Sequence, residues 1–156
     1  RDYKMLQTRG EECATRFNMS VIAKMLYATG ALENDAYDVA IEELRKADIL
    51  AGDNRELKLQ ILTMKADVLY RSGKYSEAFS IYEEAVKMDD SDVTLLNNYA
   101  YYLAEQDMNL KEAEEMARIV ISREEKNDTY LDTYAWVLYK RGKTRKEARI
   151  MERIIG

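Results

Sequence analysis

Leu69-Tyr70-Arg71-Ser72-Gly73 recurs in this chain as Leu26-Tyr27-Ala28-Thr29-Gly30 and as Leu138-Tyr139-Lys140-Arg141-Gly142. An alanine stands three residues before each leucine, and a fourth copy, which lacks the glycine, has the same spacing. The four alanines are Ala23, Ala66, Ala100 and Ala135. The last three lie 34 or 35 residues apart. Self-similarity at this period predicts an array of stacked supersecondary units.

Each repeat has two halves, and both halves show the apolar spacing of a helix. In the second copy, apolar residues stand at i, i+3, i+7, i+10 and i+11 from Leu59, on one helix face. A second such segment begins at Tyr75, and Gly73 between the two suits a helix C-terminus, where a left-handed residue is needed. The pattern predicts helices near 14–28, 36–50, 59–72, 75–88, 93–106, 110–123, 128–141 and 145–155.

Two features near the N-terminus depart from this regular pattern. Residues 2–13 are also predicted to be helical, either as an extension of the first helix or as the tail of a preceding repeat. The first copy is longer than the others, and we predict a longer loop over residues 31–35 to account for it.

The composition excludes several kinds of catalytic and metal site. The 156 residues include no histidine, no proline and one cysteine, Cys13. Without histidine there is no Ser-His-Asp triad and no imidazole ligand, and a single cysteine forms neither an internal disulfide nor a CxxC zinc pair. Paired carboxylates remain an alternative, but no motif marks them. We therefore predict no catalytic residues, no metal and no cofactor.

The charge and hydropathy of the chain limit its partners. The net charge is −5, from 24 basic and 29 acidic residues that are well mixed along the chain. No basic patch predicts nucleic-acid binding, and no apolar stretch reaches the roughly 20 residues of a spanning helix, so we predict no direct membrane insertion. Both the cytoplasm and the bacterial periplasm stay open as locations. Because the chain begins at Arg1, we expect it to be processed or part of a longer protein.

The repeat resembles the tetratricopeptide repeat (TPR), a helix-turn-helix of 34 residues. The four alanines match the small residue of that family's first helix. Its small residues in the second helix are matched by Ala78 and Ala85, and in the first copy by Ala40 and Ala47. The family's early tryptophan and terminal proline are missing. The stretch 131–136 looks most like bacterial members of the family.

This resemblance implies an all-α fold, a right-handed superhelical solenoid of about four antiparallel helix pairs in a single domain over 1–156. The approximate repeats are 14–50, 59–92, 93–127 and 128–156, with 1–13 as an N-terminal helical extension. It also implies a non-catalytic scaffold that binds a peptide or protein segment in the concave groove of the array.

In TPR proteins the first helix of each repeat lines that groove. Transferring the groove positions to this chain gives Lys24, Tyr27, Thr63, Met64, Asp67, Tyr70, Arg71, Asn97, Asn98, Tyr101, Asp132, Trp136, Tyr139 and Lys140. Amide side chains can pair with a peptide backbone, and tyrosine and tryptophan offer large contact areas. The alternative for Tyr70 and Tyr139 is that they only seal the junction between stacked repeats. Some TPR proteins bind the C-terminal carboxylate of a peptide through lysine and asparagine side chains. Here Thr129 and Thr133 occupy positions where that site would need cations, so we do not expect this mode of binding.

The C-terminal segment is apolar, and no further helix follows to cover it. Its apolar residues are Ile150, Met151, Ile154 and Ile155. TPR arrays usually end in a polar-faced helix, so we predict that this end is covered by a second copy of the chain, a missing segment or a partner. Alternatively, these residues pack back on Trp136 and Leu138. The second candidate function is therefore a structural or oligomerisation segment whose ends, and not its groove, make the contacts.

Overall fold

The structure, a computed structural model, describes residues 3–16 (of 13–16 only the backbone), 20–142, 149–150 and 152–153. Over these residues the chain forms helices and no strand. The helices are α1 (Tyr3–Arg16), α2 (Val21–Glu33), α3 (Tyr37–Ala51), α4 (Arg55–Arg71), α5 (Tyr75–Met88), α6 (Val93–Glu105), α7 (Leu110–Arg123) and α8 (Asp128–Lys140). The predicted all-α repeat fold is confirmed.

The first helix of each repeat begins at a side-chain cap. Ser20, Asn54, Asp92 and Asn127 precede α2, α4, α6 and α8. Each side chain accepts a hydrogen bond from the backbone N–H three residues later, at 2.8 Å for Asp92 and Leu95. Such a cap satisfies a backbone donor that has no partner inside the helix and contributes about 1 kcal/mol. The caps therefore fix where the first helix of each repeat starts.

The two helices of a repeat are joined by a residue in the left-handed region. These residues are Asp35, Gly73, Asp107 and Gly142, with φ of 57°, 85°, 53° and 72°. Each follows an alanine by seven positions, and these alanines are Ala28, Ala66, Ala100 and Ala135. All four alanines are buried. A small side chain at this position lets the paired helices approach closely, as the repeat pattern predicts.

The first repeat departs from its predicted register. The helix predicted near 14–28 is replaced by α1, which ends at Arg16, and α2, which begins at Val21. Helix α2 continues to Glu33, so most of the loop predicted over 31–35 is helical. Consequently Ala28, and not Ala23, occupies the place of Ala66. Ala23 is buried as well, but five residues earlier in the helix.

Gly30 explains why the sequence pattern predicted the wrong register for the first repeat. It matches the turn residue Gly73 in the sequence motif, but it lies inside α2. A Cβ atom added at Gly30 would overlap the backbone of Gln7 in α1, and one added at Gly10 would lie 2.7 Å from the Tyr27 Cα. This glycine is therefore required for a close helix contact and not for a turn.

Helix α1 is a separate element that pairs with α2. The Asn34 side chain donates a hydrogen bond to the Tyr3 carbonyl at 2.9 Å, at one end of the pair. Gly10 lies against Tyr27 further along. Because residue numbers rise in one helix as they fall in the other, the pair is antiparallel. Of the two alternatives for the N-terminal segment, extension of the first helix is wrong.

The chain divides into two compact units, Arg1–Met88 and Asp89–Gly156. In the first unit α1 packs against α2, α2 against α3, α3 against α4 and α4 against α5. In the second unit α7 packs against α6 and α8, and α6 also packs against α8. The single domain over 1–156 stays a prediction. None of the helices in the described ranges is long and apolar enough to cross a membrane.

Candidate functional site

The second unit contains a cavity of about 510 Å³ between α6 and α8. We call it the α6/α8 cavity, and it is lined by Asn97, Asn98, Tyr101, Tyr102, Glu105, Thr129, Asp132, Thr133 and Trp136. The α8 residues follow the spacing i, i+3, i+4 and i+7 from Thr129, which is one face of a helix. The cavity therefore lies between the first helices of two successive repeats.

Two polar atoms of the cavity-lining residues are buried without a hydrogen-bond partner. These are the acceptor Oδ1 of Asn97 and the donor Nε1 of Trp136, neither of which finds a partner among the described residues. Asn97 is only 7% exposed. More than nine in ten buried polar groups are hydrogen-bonded, and leaving one unsatisfied costs about 1–3 kcal/mol. A ligand that supplies one donor and one acceptor would remove this cost.

Neighbouring side chains hold the Trp136 ring in place. Tyr139 stacks on it with ring centroids 5.5 Å apart and an interplanar angle of 21°. The Lys140 Nζ lies 5.3 Å from the ring centroid, within the range of a cation–π contact. Lys140 is itself held by Asp107, with Nζ 2.9 Å from the carboxylate. Tyr139 and Lys140 therefore position Trp136 without lining the cavity.

The charged residues that line the cavity are both acidic. Glu105 belongs to α6 and Asp132 to α8. Burial first, and then the charge and hydrogen bond of Glu105, raise the pKa of the Tyr101 hydroxyl. This effect shows that the Glu105 carboxylate faces Tyr101. The Thr133 hydroxyl donates to the Thr129 carbonyl at 3.1 Å, so its proton is already used within α8.

The cavity brings together five of the predicted groove residues. These are Asn97, Asn98, Tyr101, Asp132 and Trp136. Sequence reasoning did not select Tyr102 and Glu105. Glu105 lies five residues after Ala100, as Arg71 and Lys140 lie five after their alanines, so counting from the repeat would have found it. Tyr102 carries no such signal.

Four of the predicted groove residues in the first unit, Lys24, Asp67, Tyr70 and Arg71, contact partners within the chain. Lys24 is 7% exposed, with its Nζ 3.5 Å from the Glu43 carboxylate. Its assignment to the groove used the register of Ala23, and in the register of Ala28 that assignment no longer follows. The Tyr70 ring lies 4.9 Å from Tyr75 and 6.0 Å from Phe79, centroid to centroid.

Arg71 and Asp67 are also engaged within the first unit. Arg71 contacts two acids of the first repeat. These are Glu33, the last residue of α2, at 3.0 Å, and Asp35, in the turn after α2, at 3.5 Å. The Asp67 carboxylate accepts a hydrogen bond from the Tyr82 hydroxyl. Burial raises the pKa of Asp67 to about 6, although the Tyr82 hydrogen bond and the Arg71 charge act in the opposite direction. Asp67 therefore links α4 to α5 through this hydrogen bond, and its pKa is unusually near neutral pH for a carboxyl.

The predicted end contact falls mainly outside the described residues. Residues 149–150 and 152–153 are helical, whereas Met151, Ile154, Ile155 and most of the rest of the predicted 145–155 helix lie outside them. Ile150 is 7% exposed, so it is already buried within a single chain. Self-association through this helix stays a prediction.

Comparison with known proteins adds evidence on the fold. Neither a protein-family model nor a curated protein sequence matches the chain. Two crystal structures of MamA are similar to it, each at 10% sequence identity over 99% of this chain, with TM-scores of 0.71 and 0.72. The matches cover 81% and 87% of those chains. The bacterial TPR family stays a resemblance, and the comparison shows that the chain has the TPR-like helical fold of MamA.

Proposed function

We propose that this protein is a non-catalytic scaffold that binds an extended segment of a partner protein in the α6/α8 cavity. The observation that carries the proposal is the pair of unsatisfied atoms, Asn97 Oδ1 and Trp136 Nε1. A peptide backbone presents an N–H and a C=O at every residue, so it carries both the donor and the acceptor that these two atoms lack. An extended segment fits better than a helical one, because the backbone groups of a helix are bonded to each other.

The size and lining of the cavity agree with this ligand. About 510 Å³ lies within the range of roughly 300–1,000 Å³ that is usual for ligand sites. Tyr101, Tyr102 and Trp136 offer aromatic surface for ligand side chains, and such residues dominate the binding energy of protein interfaces. The absence of histidine from the sequence and the TPR-like fold support a role in binding and not in catalysis.

The test uses a display library of random linear peptides selected on the intact chain, followed by affinity measurement on two variants. Asn97→Leu removes the acceptor at nearly constant volume, and Trp136→Phe removes the indole donor but keeps an aromatic ring. We expect each variant to bind the selected peptides at least about tenfold more weakly, since each lost hydrogen bond leaves a ligand group unpaired. Gln60→Leu, an amide replaced at an exposed site of α4, is the matched control.

Thermal unfolding of the same variants separates binding from folding. Asn97→Leu should unfold at or above the temperature of the unmodified chain, because it removes a buried unsatisfied oxygen. Full binding by both variants would refute the proposal. If no peptide is selected, and removal of residues 150–156 changes the sedimentation of the chain, the alternative function through the chain ends replaces it.

A further inference from the structure

The α6/α8 cavity is acidic. Glu105 and Asp132 are its charged lining residues, and they approach it from different helices. Within the described part of the chain, no lysine or arginine lines the cavity, and no ion pair neutralises either carboxylate. Two carboxylates beside a partly enclosed volume favour the entry of a positive group.

The lysine beside the Trp136 ring does not cancel this charge. Lys140 is bound to Asp107, so its own charge is compensated outside the cavity lining. At Glu105 the sign of the charge is opposite to that found at the same position of two other repeats. At the same position, five residues after the alanine, Arg71 in α4 and Lys140 in α8 are cations that pair with aspartates of the preceding turn. In α6 this position carries an acid that faces the cavity.

Aromatic rings stand beside these acids. The Tyr101 and Tyr102 rings lie 5.7 Å apart, centroid to centroid, in an edge-on arrangement. Trp136 lies on the opposite helix. Aromatic faces attract cations, and guanidinium groups stack on them while pairing with carboxylates. A ligand carboxylate would instead meet two like charges, which raises the energy of the complex.

From this charge and ring arrangement, we infer that the segment bound in the α6/α8 cavity carries a basic side chain, arginine or lysine, that lies between the carboxylates of Glu105 and Asp132. This inference rests on the function proposed above and specifies the chemistry of the ligand. The backbone of the segment meets Asn97 and Trp136, and its cation meets the two acids and the aromatic rings.

Three synthetic peptides test this inference. Their sequence is acetyl-Ala-Ala-X-Ala-Ala-amide, where X is arginine, norleucine (an uncharged linear side chain) or glutamate. Trp136 is the only tryptophan, so its indole N–H signal in the nitrogen-15 NMR spectrum reports the site directly. We expect the arginine peptide to shift this signal with a dissociation constant about tenfold below that of the norleucine peptide. The glutamate peptide should bind most weakly.

A double variant assigns the preference to the two acids. Glu105→Gln with Asp132→Asn should remove the roughly tenfold preference for the arginine peptide over the norleucine peptide. The control is Glu115→Gln with Asp128→Asn, which removes the same charges at exposed sites outside the cavity. If this control abolishes the preference equally, only the net charge of the chain acts and the inference is refuted.

The peptide results also separate the two proposals. Equal binding of the arginine and norleucine peptides to the unmodified chain would overturn the basic ligand and leave backbone recognition intact. No shift of the indole signal with any of the three peptides at millimolar concentration would overturn the α6/α8 cavity as a peptide site. A shift with the glutamate peptide alone would contradict the charge argument while retaining the site.

Discussion

Helices α4 and α6 occupy the same place in successive repeats, but their polar side chains have different surroundings. In α4, Asp67 and Arg71 are bonded to side chains within the first unit. In α6, Asn97 has a buried oxygen without a partner among the described residues, and Glu105 faces a cavity. The comparison indicates that polar side chains of equivalent helices are bonded within the fold in one repeat and border a cavity in the next.

The strongest test of this comparison is Gly30→Ala in the tightly packed first unit. Alanine normally stabilises a helix interior relative to glycine by up to about 1 kcal/mol. Here the new methyl group would meet the backbone of Gln7, which cannot rotate away as a side chain can. We expect a loss of about 3 kcal/mol, the upper end of the usual cost of overpacking, measured by urea unfolding.

A control at an exposed site shows the size of change in unfolding free energy that an ordinary substitution to alanine causes. Gln60→Ala, at an exposed site of α4, should change the free energy of unfolding by less than about 0.5 kcal/mol. An increase in stability for Gly30→Ala would mean that α1 does not pack against α2 as described.

The second test concerns the pH dependence that Asp67 gives the first unit. The pKa of Asp67 is raised from 3.8 to about 6 in the folded chain, so the folded state binds a proton that the unfolded state has lost. This contribution is full below pH 3.8 and is lost as the pH rises through 6. We expect a loss of about 2 kcal/mol across this window, reduced from the full shift because the side chain is partly exposed.

Asp67→Asn provides the measurement for this prediction. The amide oxygen can still accept the Tyr82 hydrogen bond but does not titrate. The difference in unfolding free energy between the two proteins, measured from pH 3.5 to 7, should therefore change between about pH 3.8 and pH 6 and level off above pH 6. A difference that does not vary with pH would show that Asp67 ionises as an ordinary surface carboxyl does.

The smallest effect on stability is expected at the two pairs that follow the same repeat position, Arg71 with Asp35 and Lys140 with Asp107. Arg71→Met and Lys140→Met should each cost less than about 1 kcal/mol, as is usual for exposed ion pairs. Their effects on peptide binding should differ, because Lys140 also contacts the Trp136 ring. We expect Lys140→Met to weaken binding about three- to fivefold and Arg71→Met to have no effect, measured by tryptophan fluorescence.

The repeat alanines predicted most of the fold, because a small residue is required wherever two helices approach closely. From Arg55 to Lys140, five helices begin and end within a few residues of the predicted bounds. The prediction of the first repeat was wrong because a glycine that permits a helix contact and a glycine that permits a turn look the same in sequence. Only the backbone of α1 beside Gly30 distinguishes them.

The residues that line the α6/α8 cavity were predicted in part, for a related reason. Repeat positions correctly brought Asn97, Asn98, Tyr101 and Trp136 to one cavity. They did not predict that Lys24 pairs with Glu43, because that ion pair joins α2 to α3 and depends on the corrected register. A pattern along the chain assigns residues to a helix face, but the partners that satisfy them come from other helices.

The contact made by Gly10 and Gly30 also constrains how such an array can grow. In a repeat array each repeat contacts only its neighbours, so an added helix pair must reproduce the contacts that it interrupts. A pair inserted between α1 and α2 would separate two glycines whose backbones meet each other's helices, and the inserted helices would need glycines in the same register to replace that contact. Insertion of a helix pair at this junction should therefore destabilise the first unit.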